Sequence, residues 1–446
     1  MEANADPRRR VRAAAGTVPP LKKRLVFASP EIAITILFAT VNSWYFYFLV
    51  NVAALPPILA GGAFAFGRIV DAIFDPIVGR WSDRRSSKHG RKRTILYALG
   101  PTAMAFALIW SLPATVEGPW LKTFVAALSF ALFAFGYTLI TVPRMAMLPQ
   151  YEADYHGRTA QIAVDMVFIF LSLAFAVAGV PALISLIDGS TELSATAAAA
   201  WWPAAAGLAG IACLAYLPFL VFVPDQTAAH PSQSADRLLG DLRATLRVPR
   251  FRLTVAVFFL SVVSLVSIQS MLPFFLESFV GVPKNRQAPV LATVFAISVL
   301  SLPLWVALGR RIGKVRGLMA GIAVYVIFLF LTALIGRGTG VGAHLIVSAV
   351  FAGASITALS VFPWAMVPDA VDLYRTATGR AHQGLCVSVF TFTNKLASTT
   401  AVMLNGVILS LSGHVAGQAV QSEQTIWAIL AATVALPFLF AVFCFL

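Results

Sequence analysis

The chain has 446 residues, of which 59% are hydrophobic and only 12% charged, against roughly 45–50% and about 25% in soluble globular domains. So few charges cannot cover a water-exposed surface, which excludes soluble enzymes, disordered chains and nucleic-acid-binding modules. The net charge of +14 does not bring nucleic acid back as a partner, because the Lys and Arg residues sit between long apolar runs, where the positive-inside rule places them.

The first segment, 1–26, is a basic tail carrying Arg8, Arg9, Arg10, Arg12, Lys22, Lys23 and Arg24. The apolar run after it is too long for the core of a signal peptide and is not followed by a small-residue cleavage pattern, so it predicts a retained first span. About 20 apolar residues cross the hydrocarbon. Punctuated by turn signals, the hydropathy predicts twelve spans. Six lie near 27–51, 57–80, 93–114, 120–143, 159–186 and 199–223, and six near 251–277, 287–309, 315–336, 342–367, 383–411 and 425–446. The polar stretch 224–250 divides them into two bundles, 27–223 and 251–446. Span one carries five aromatics in a row, Trp44 to Phe48, which can stack on a bound solute or face lipid, lipid contact being the commoner use.

All but six of the Lys and Arg residues fall on the side shared with the N-terminus. Lys122, Lys284, Arg286 and Arg337 lie opposite, and Arg68 and Lys395 lie inside spans. This charge sorting predicts cytoplasmic termini and linker. The three cysteines, Cys213, Cys386 and Cys444, are scattered through apolar sequence and predict neither a disulfide framework nor a metal site.

Charges inside spans are costly and default to function. Arg68, Asp71 and Asp75 in span two are spaced i, i+3, i+7, hence on one helical face. A carboxylate pair in low dielectric takes up a proton or a metal ion; the plainer alternative is a static salt bridge. Lys395 lies twelve residues into span eleven within a polar and small stretch that includes Asn394. Its expected counter-charges are Asp71 and Asp75, and snorkelling to the interface is the alternative. Asp165 in span five reads equally well as a cavity residue or as one near the membrane edge. Glu31 and Glu277 lie nearer span ends, within reach of water.

Span two and its loop run Phe66-Gly67-Arg68-Ile69-Val70-Asp71 through Asp75-Pro76 to Gly79, Asp83 and Arg84, then Gly90-Arg91-Lys92-Arg93. This resembles the signature of the glycoside–pentoside–hexuronide:cation symporters, the melibiose-permease branch of the major facilitator superfamily. A degraded second copy, Leu308-Gly309-Arg310-Arg311 to Arg316, stands at the matching place in the second half. Thr141-Val142-Pro143 through Pro149 to Asp154 and Arg158, and Pro363-Trp364 through Asp369 and Asp372 to Gly384 and Lys395, resemble the branch too.

The resemblance implies two pseudo-symmetric six-helix bundles, alternating access and symport of a sugar-like solute with a cation, H+ or Na+, without further cofactor or resident metal. It implies a cation site of Asp71, Asp75 and Thr138 with Lys395 beside it and Arg68 as charge partner. Asp83, Arg84, Arg158, Asp369 and Asp372 are expected at a cytoplasmic gate; a solvated loop is the alternative. The sequence departs from the branch in two ways. Phe74 stands where the family's sodium site has Asn, and its charged sugar clamps fall near Thr35, at Thr141 and at Met166. Asp165 is one residue off and Glu31 one turn away, so Glu31, Thr141, Asp165 and Asn394 are the expected cavity residues. Carriers of amphipathic lipids share the branch, so a lipid-like solute is the alternative. The expectation is a monomeric, non-enzymatic carrier of the plasma membrane, the inner membrane of a bacterium, in contact with membrane lipids. Two further rivals are a transport-inactive scaffold and an intramembrane prenyltransferase, whose paired aspartates Asp71/Asp75 and Asp369/Asp372 would hold magnesium on a diphosphate. Twelve spans with a midpoint linker and a repeated basic loop do not suit that enzyme.

Overall fold

A computed structural model describes residues 21–112, 117–151, 155–189, 198–225, 248–282, 284–378, 383–415 and 421–445. The basic tail to residue 20 and 226–247 of the linker lie outside the described residues. So do the side chains of Asp83, Arg84, Arg158 and Asp372, four of the expected gate residues.

The first half contains α1 (Leu21–Tyr45), α2 (Pro57–His89), α3 (Arg91–Leu108), α4 (Pro119–Met145), α5 (Tyr155–Asp188) and α6 (Ala198–Phe222). The second contains α7 (Pro249–Phe279), α8 (Lys284–Ile312), α9 (Lys314–Ala333), α10 (Ala343–Thr378), α11 (Gln383–Leu411) and α12 (Glu423–Cys444). α1 is broken by Pro30, and its helical path runs on through π-turns to Val52. The expected spans all coincide with helices, but among the described residues ten are long and apolar enough to cross a membrane. α3 and α11 are the exceptions. The first opens on Arg91, Lys92 and Arg93; the second spends apolar positions on Thr393, Asn394, Lys395, Ser398 and Thr399. α2 and α10 extend past the expected 80 and 367, because a helix need not stop where its apolar stretch does.

The packing repeats with an offset of six. α1 packs on α5 and α6 as α7 does on α11 and α12, and α4 packs on α2 and α3 as α10 does on α8 and α9. The halves meet along α2–α11 and α5–α8, two seams exchanged by the same relation. The repeated loop obeys it in detail. Gly90 before α3 (φ 77°, ψ 158°) and Gly313 before α9 (φ 89°, ψ 157°) share one backbone geometry, which a side chain disfavours.

At the end bearing the α1–α2, α7–α8 and α11–α12 loops the halves are locked together. Gly61 and Gly406 let α2 and α11 touch by backbone: a Cβ on Gly406 would lie 2.7 Å from the Pro57 carbonyl oxygen. Tyr47 donates to Glu277, Gln269 Nε2 to Ser43 Oγ at 2.8 Å, and His414 Nε2 lies 3.0 Å from Asn51 Oδ1. Phe274 fills the space between, its ring 5.8 Å from Phe46, 5.1 Å from Tyr47 and 5.6 Å from His414. The span-one aromatics are therefore not lipid-facing. Trp44 to Phe48 are all buried, packed on Trp110, Trp201 and Phe274. At the opposite end, hydrogen bonds join helices of one half: Arg91 to the Ala146 carbonyl, Lys92 to that of Val223, and Lys314 to Asp369.

Candidate functional site

α2 presents Asp71 and Asp75 one helical turn apart, toward α4 and α11. Lys395 crosses from the second half and places Nζ 2.8 Å from Asp71 Oδ2 and 2.6 Å from Asp75 Oδ2. From α4, Thr138 Oγ1 lies 3.2 Å from Asp71 Oδ1 and 3.1 Å from Asp75 Oδ1. With one proton, that hydroxyl donates to one carboxylate at a time. The four residues thus form a closed ring in which an ammonium ion, bound to the protein by its own side chain, is held by two carboxylates. Lys395 does not snorkel.

Arg68 completes the charge balance without joining the ring. Its Nη1 lies 3.7 Å from Asp71 Oδ2, while Nη2 donates to Asn42 on α1. Its guanidinium carbon is 4.7 Å from the Phe38 ring centroid and 5.3 Å from that of Phe64. Such cation–aromatic contacts are worth about 2 kcal/mol when desolvated, and they fix Arg68 behind Asp71. Two cations and two carboxylates leave the cluster neutral, so it escapes most of the penalty of burying net charge.

The two acids differ in access. The Asp71 side chain is 5% exposed and that of Asp75 28%. Asp75 lies one turn further from the locked end, so the opening to this site is on the other side. Phe74 turns away, its ring 4.8 Å from Phe135, and brings no oxygen to the carboxylates.

The expected cavity residues separate. Glu31 and Asp165 are buried and belong to a second charge cluster organised by Arg144, which stands one residue past the expected end of span four. Arg144 pairs with Glu31 through Nη1 and with Asp165 Oδ2 at 3.2 Å through Nη2. Gln161 Nε2 donates to Asp165 Oδ1 at 2.8 Å. Glu31 therefore does not reach water, whereas Glu277, which accepts from Tyr47, is only partly buried. Thr141 Oγ1 bonds the Tyr137 carbonyl at 2.9 Å, and Asn394 is half-buried on α11 beside Lys395. Asp369 pairs with Lys314 at 2.6 Å, a link within the second half rather than a bridge between halves. The signal for Arg144 was present in the sequence: a cation directly after Val142-Pro143 at the end of the span-four apolar run, six residues from Thr138.

Residues 26–446 match the family described as MFS/sugar transport protein. An uncharacterised symporter of Synechocystis is 24% identical, over 90% of this chain and 89% of that protein. The sodium-dependent lysophosphatidylcholine symporter 1-A of Danio rerio is 26% identical, over 84% of this chain and 75% of that one. Among solved structures, the nucleoside transporter NupG (D323A mutant) superposes with a TM-score of 0.67 at 16% identity, covering 94% of this chain and 99% of that one; it carries the same fold. The repeat of helix packing, the family match and the symporter relatives converge: this chain belongs to the MFS/sugar transport family of the major facilitator superfamily and is a multi-pass membrane transporter, a cation:solute symporter.

Proposed function

We propose that Asp71, Asp75 and Thr138 form the cation site of this symporter and that Lys395 is its internal stand-in for the cation. The reading rests on one observation, the Lys395 ammonium held by both carboxylates across the two halves. An incoming cation competes with that ammonium for the same oxygens. Release of Lys395 frees α11 from α2, so occupancy of the site and the relative position of the halves are linked. Arg68 positions Asp71 and does not itself bind the ion.

The coupling ion is a proton on this reading. Sodium exchanges its hydration shell for several protein oxygens, and Phe74 supplies none. A proton requires one carboxyl group, and Asp75 is the accessible one.

The termini and linker are cytoplasmic and the locked end faces outward, so the cation site opens inward, in the plasma membrane, with the monomer as the working unit. Asp83, Arg84, Arg158, Asp369 and Asp372 stand where an inner gate closes in the outward-open state. Glu31 and Asp165 are engaged by Arg144, which leaves Thr141 and Asn394 as the proposed solute contacts. They are small, uncharged and polar, and suit a sugar-like solute bound without the charged clamps of the melibiose carriers. The Danio relative's lysophosphatidylcholine keeps a lipid-like solute as the second reading.

Thermal stabilisation of the purified carrier tests sugars against lysolipids, since a ligand of the folded state raises its stability by mass action. A monosaccharide or glycoside is expected to shift the transition, and galactosides of the melibiose type to shift it little. Micromolar galactoside binding by calorimetry contradicts the clamp-free site. A shift produced by lysolipids alone moves the assignment to the second reading.

A further inference from the structure

Arg144 is the one cation acting on two buried acids, Glu31 and Asp165, among the described residues. Three helices supply the group: Glu31 from α1, Arg144 from the last turn of α4, and Gln161 and Asp165 from one face of α5. All four residues are more than nine-tenths buried. Thr138 and Arg144 are six residues apart on α4, a rise of about 9 Å, so the cluster is separate from the cation site and lies toward its open side.

The guanidinium divides itself. Nη1 serves Glu31, Nη2 serves Asp165 at 3.2 Å and the Phe27 carbonyl at 3.3 Å, and Nε is buried with no partner. Neither acid receives the two-pronged contact that best offsets a carboxylate's desolvation. With both acids ionised the formal charge among the described residues is −1, surrounded by Phe27, 5.3 Å from the guanidinium carbon, and by the phenols Tyr137 and Tyr216. The next cation along α1, Arg24, meets the cluster through its backbone carbonyl, which accepts from Gln161 Nε2 at 3.2 Å. A second observation points to the missing positive charge. Gln161 is fully buried against Asp165, yet its carbonyl Oε1 has no donor. Asp165's other donor is the neutral Nε2 of Gln161, so the carboxylate lacks its full counter-charge and fits one added proton. A buried net charge is costly to desolvate; a proton removes it.

We propose that Glu31, Arg144 and Asp165 form a second proton-binding site, one proton shared between the two carboxyl groups. This does not rest on the assignment of Asp71 and Asp75, and Lys395 does not touch it. The site lies within the first half, so it travels intact as the halves rock, and it binds or releases its proton according to which side it faces.

The charge count makes a sharp test. Removing either acid leaves one carboxylate for one guanidinium, and the proton is no longer held. Infrared spectra of the protein in bilayers at neutral pH are expected to contain a protonated-carboxyl C=O band that is lost in Glu31→Gln and equally in Asp165→Asn. The same band is expected to persist in Asp75→Asn, whose own site is a different one. Loss in only one of the two variants, in neither, or absence of the band from the wild-type protein overturns the proposal. Should an acid variant fail to fold, Gln161→Leu decides. It removes a hydrogen bond to Asp165 and is expected to shift the band's frequency, whereas an unmoved band places the proton elsewhere and overturns the proposal.

Discussion

Two buried charge clusters share α4, and they are built on opposite plans. The ring of Asp71, Asp75, Thr138 and Lys395 spans both halves and, with Arg68, is charge-balanced. The Glu31–Arg144–Asp165 cluster lies inside one half and holds one cation for two acids. A balanced cluster that bridges moving bodies can break only if something replaces its bridging ion. An unbalanced cluster inside a rigid body has no bridge to break, and can change only its protonation. The first plan suits a site whose occupancy moves the halves, and the second a site that is carried along.

Lys395→Ala should separate the two most strongly. The ring loses its only link to the second half, and accumulation of solute against its gradient should fall to background while the protein still folds and inserts. The acids then take protons from solution in place of the ammonium. Uptake in proteoliposomes with and without an ion gradient checks this, alongside the thermal transition of the purified variant.

Closure of the locked end can be broken independently of either cluster. Gly406→Val places side-chain atoms where the Pro57 carbonyl lies, 2.7 Å from the new Cβ, and overpacking of this kind costs about 1–3 kcal/mol. Borne by the closed state alone, that is a shift of roughly 5- to 150-fold toward the open state. Thiol labelling of a Ser43→Cys reporter should accelerate accordingly in the Gly406→Val background and remain slow without it.

Arg68→Lys should have a smaller effect. The charge stays, but the planar contact with Phe38 and Phe64 is lost, about 1–2 kcal/mol. Transport should weaken by several-fold without a change of coupling ion, as initial rates over a pH series would reveal.

The smallest expected effect on transport is at His414, in the loop after α11, next to Phe274 and Asn51, where the change is in stability. Burial lowers this imidazole from its ordinary 6.5 to about 4. The unfolded chain therefore binds the proton more readily, and stability is lost as pH falls from 6.5 toward 4. His414→Gln should flatten that part of the stability-against-pH curve by at most ~3 kcal/mol, read from denaturation midpoints at pH 7 and pH 4.5.

Much of the proposed cation site was legible in the sequence, because Asp71, Asp75 and Lys395 are charges in otherwise apolar runs and membrane physics permits few reasons for them. Helical spacing put both acids on one face, and the resemblance supplied Thr138. Arg144 escaped notice for the opposite reason. Standing at a helix end, it reads as an ordinary interfacial cation, and only the fold shows that α1 and α5 close over it. The aromatics of span one were misjudged because an all-apolar helix has no polar face to mark its lipid side, and whether Trp44 meets lipid or Trp201 depends on tertiary packing. The third and eleventh expected spans coincide with helices whose hydropathy is diluted, by Arg91 to Arg93 in one and by Lys395 and its polar neighbours in the other.

The central claim is that Lys395 occupies the cation's place and is displaced by it. The most direct measurement compares uptake by wild-type and Lys395→Ala proteoliposomes, using the solute found in the stability screen, under a pH gradient without sodium and then under a sodium gradient at uniform pH. The account predicts accumulation by the wild type under the pH gradient, and mere equilibration by the variant under both. Accumulation by Lys395→Ala equal to that of the wild type would contradict it.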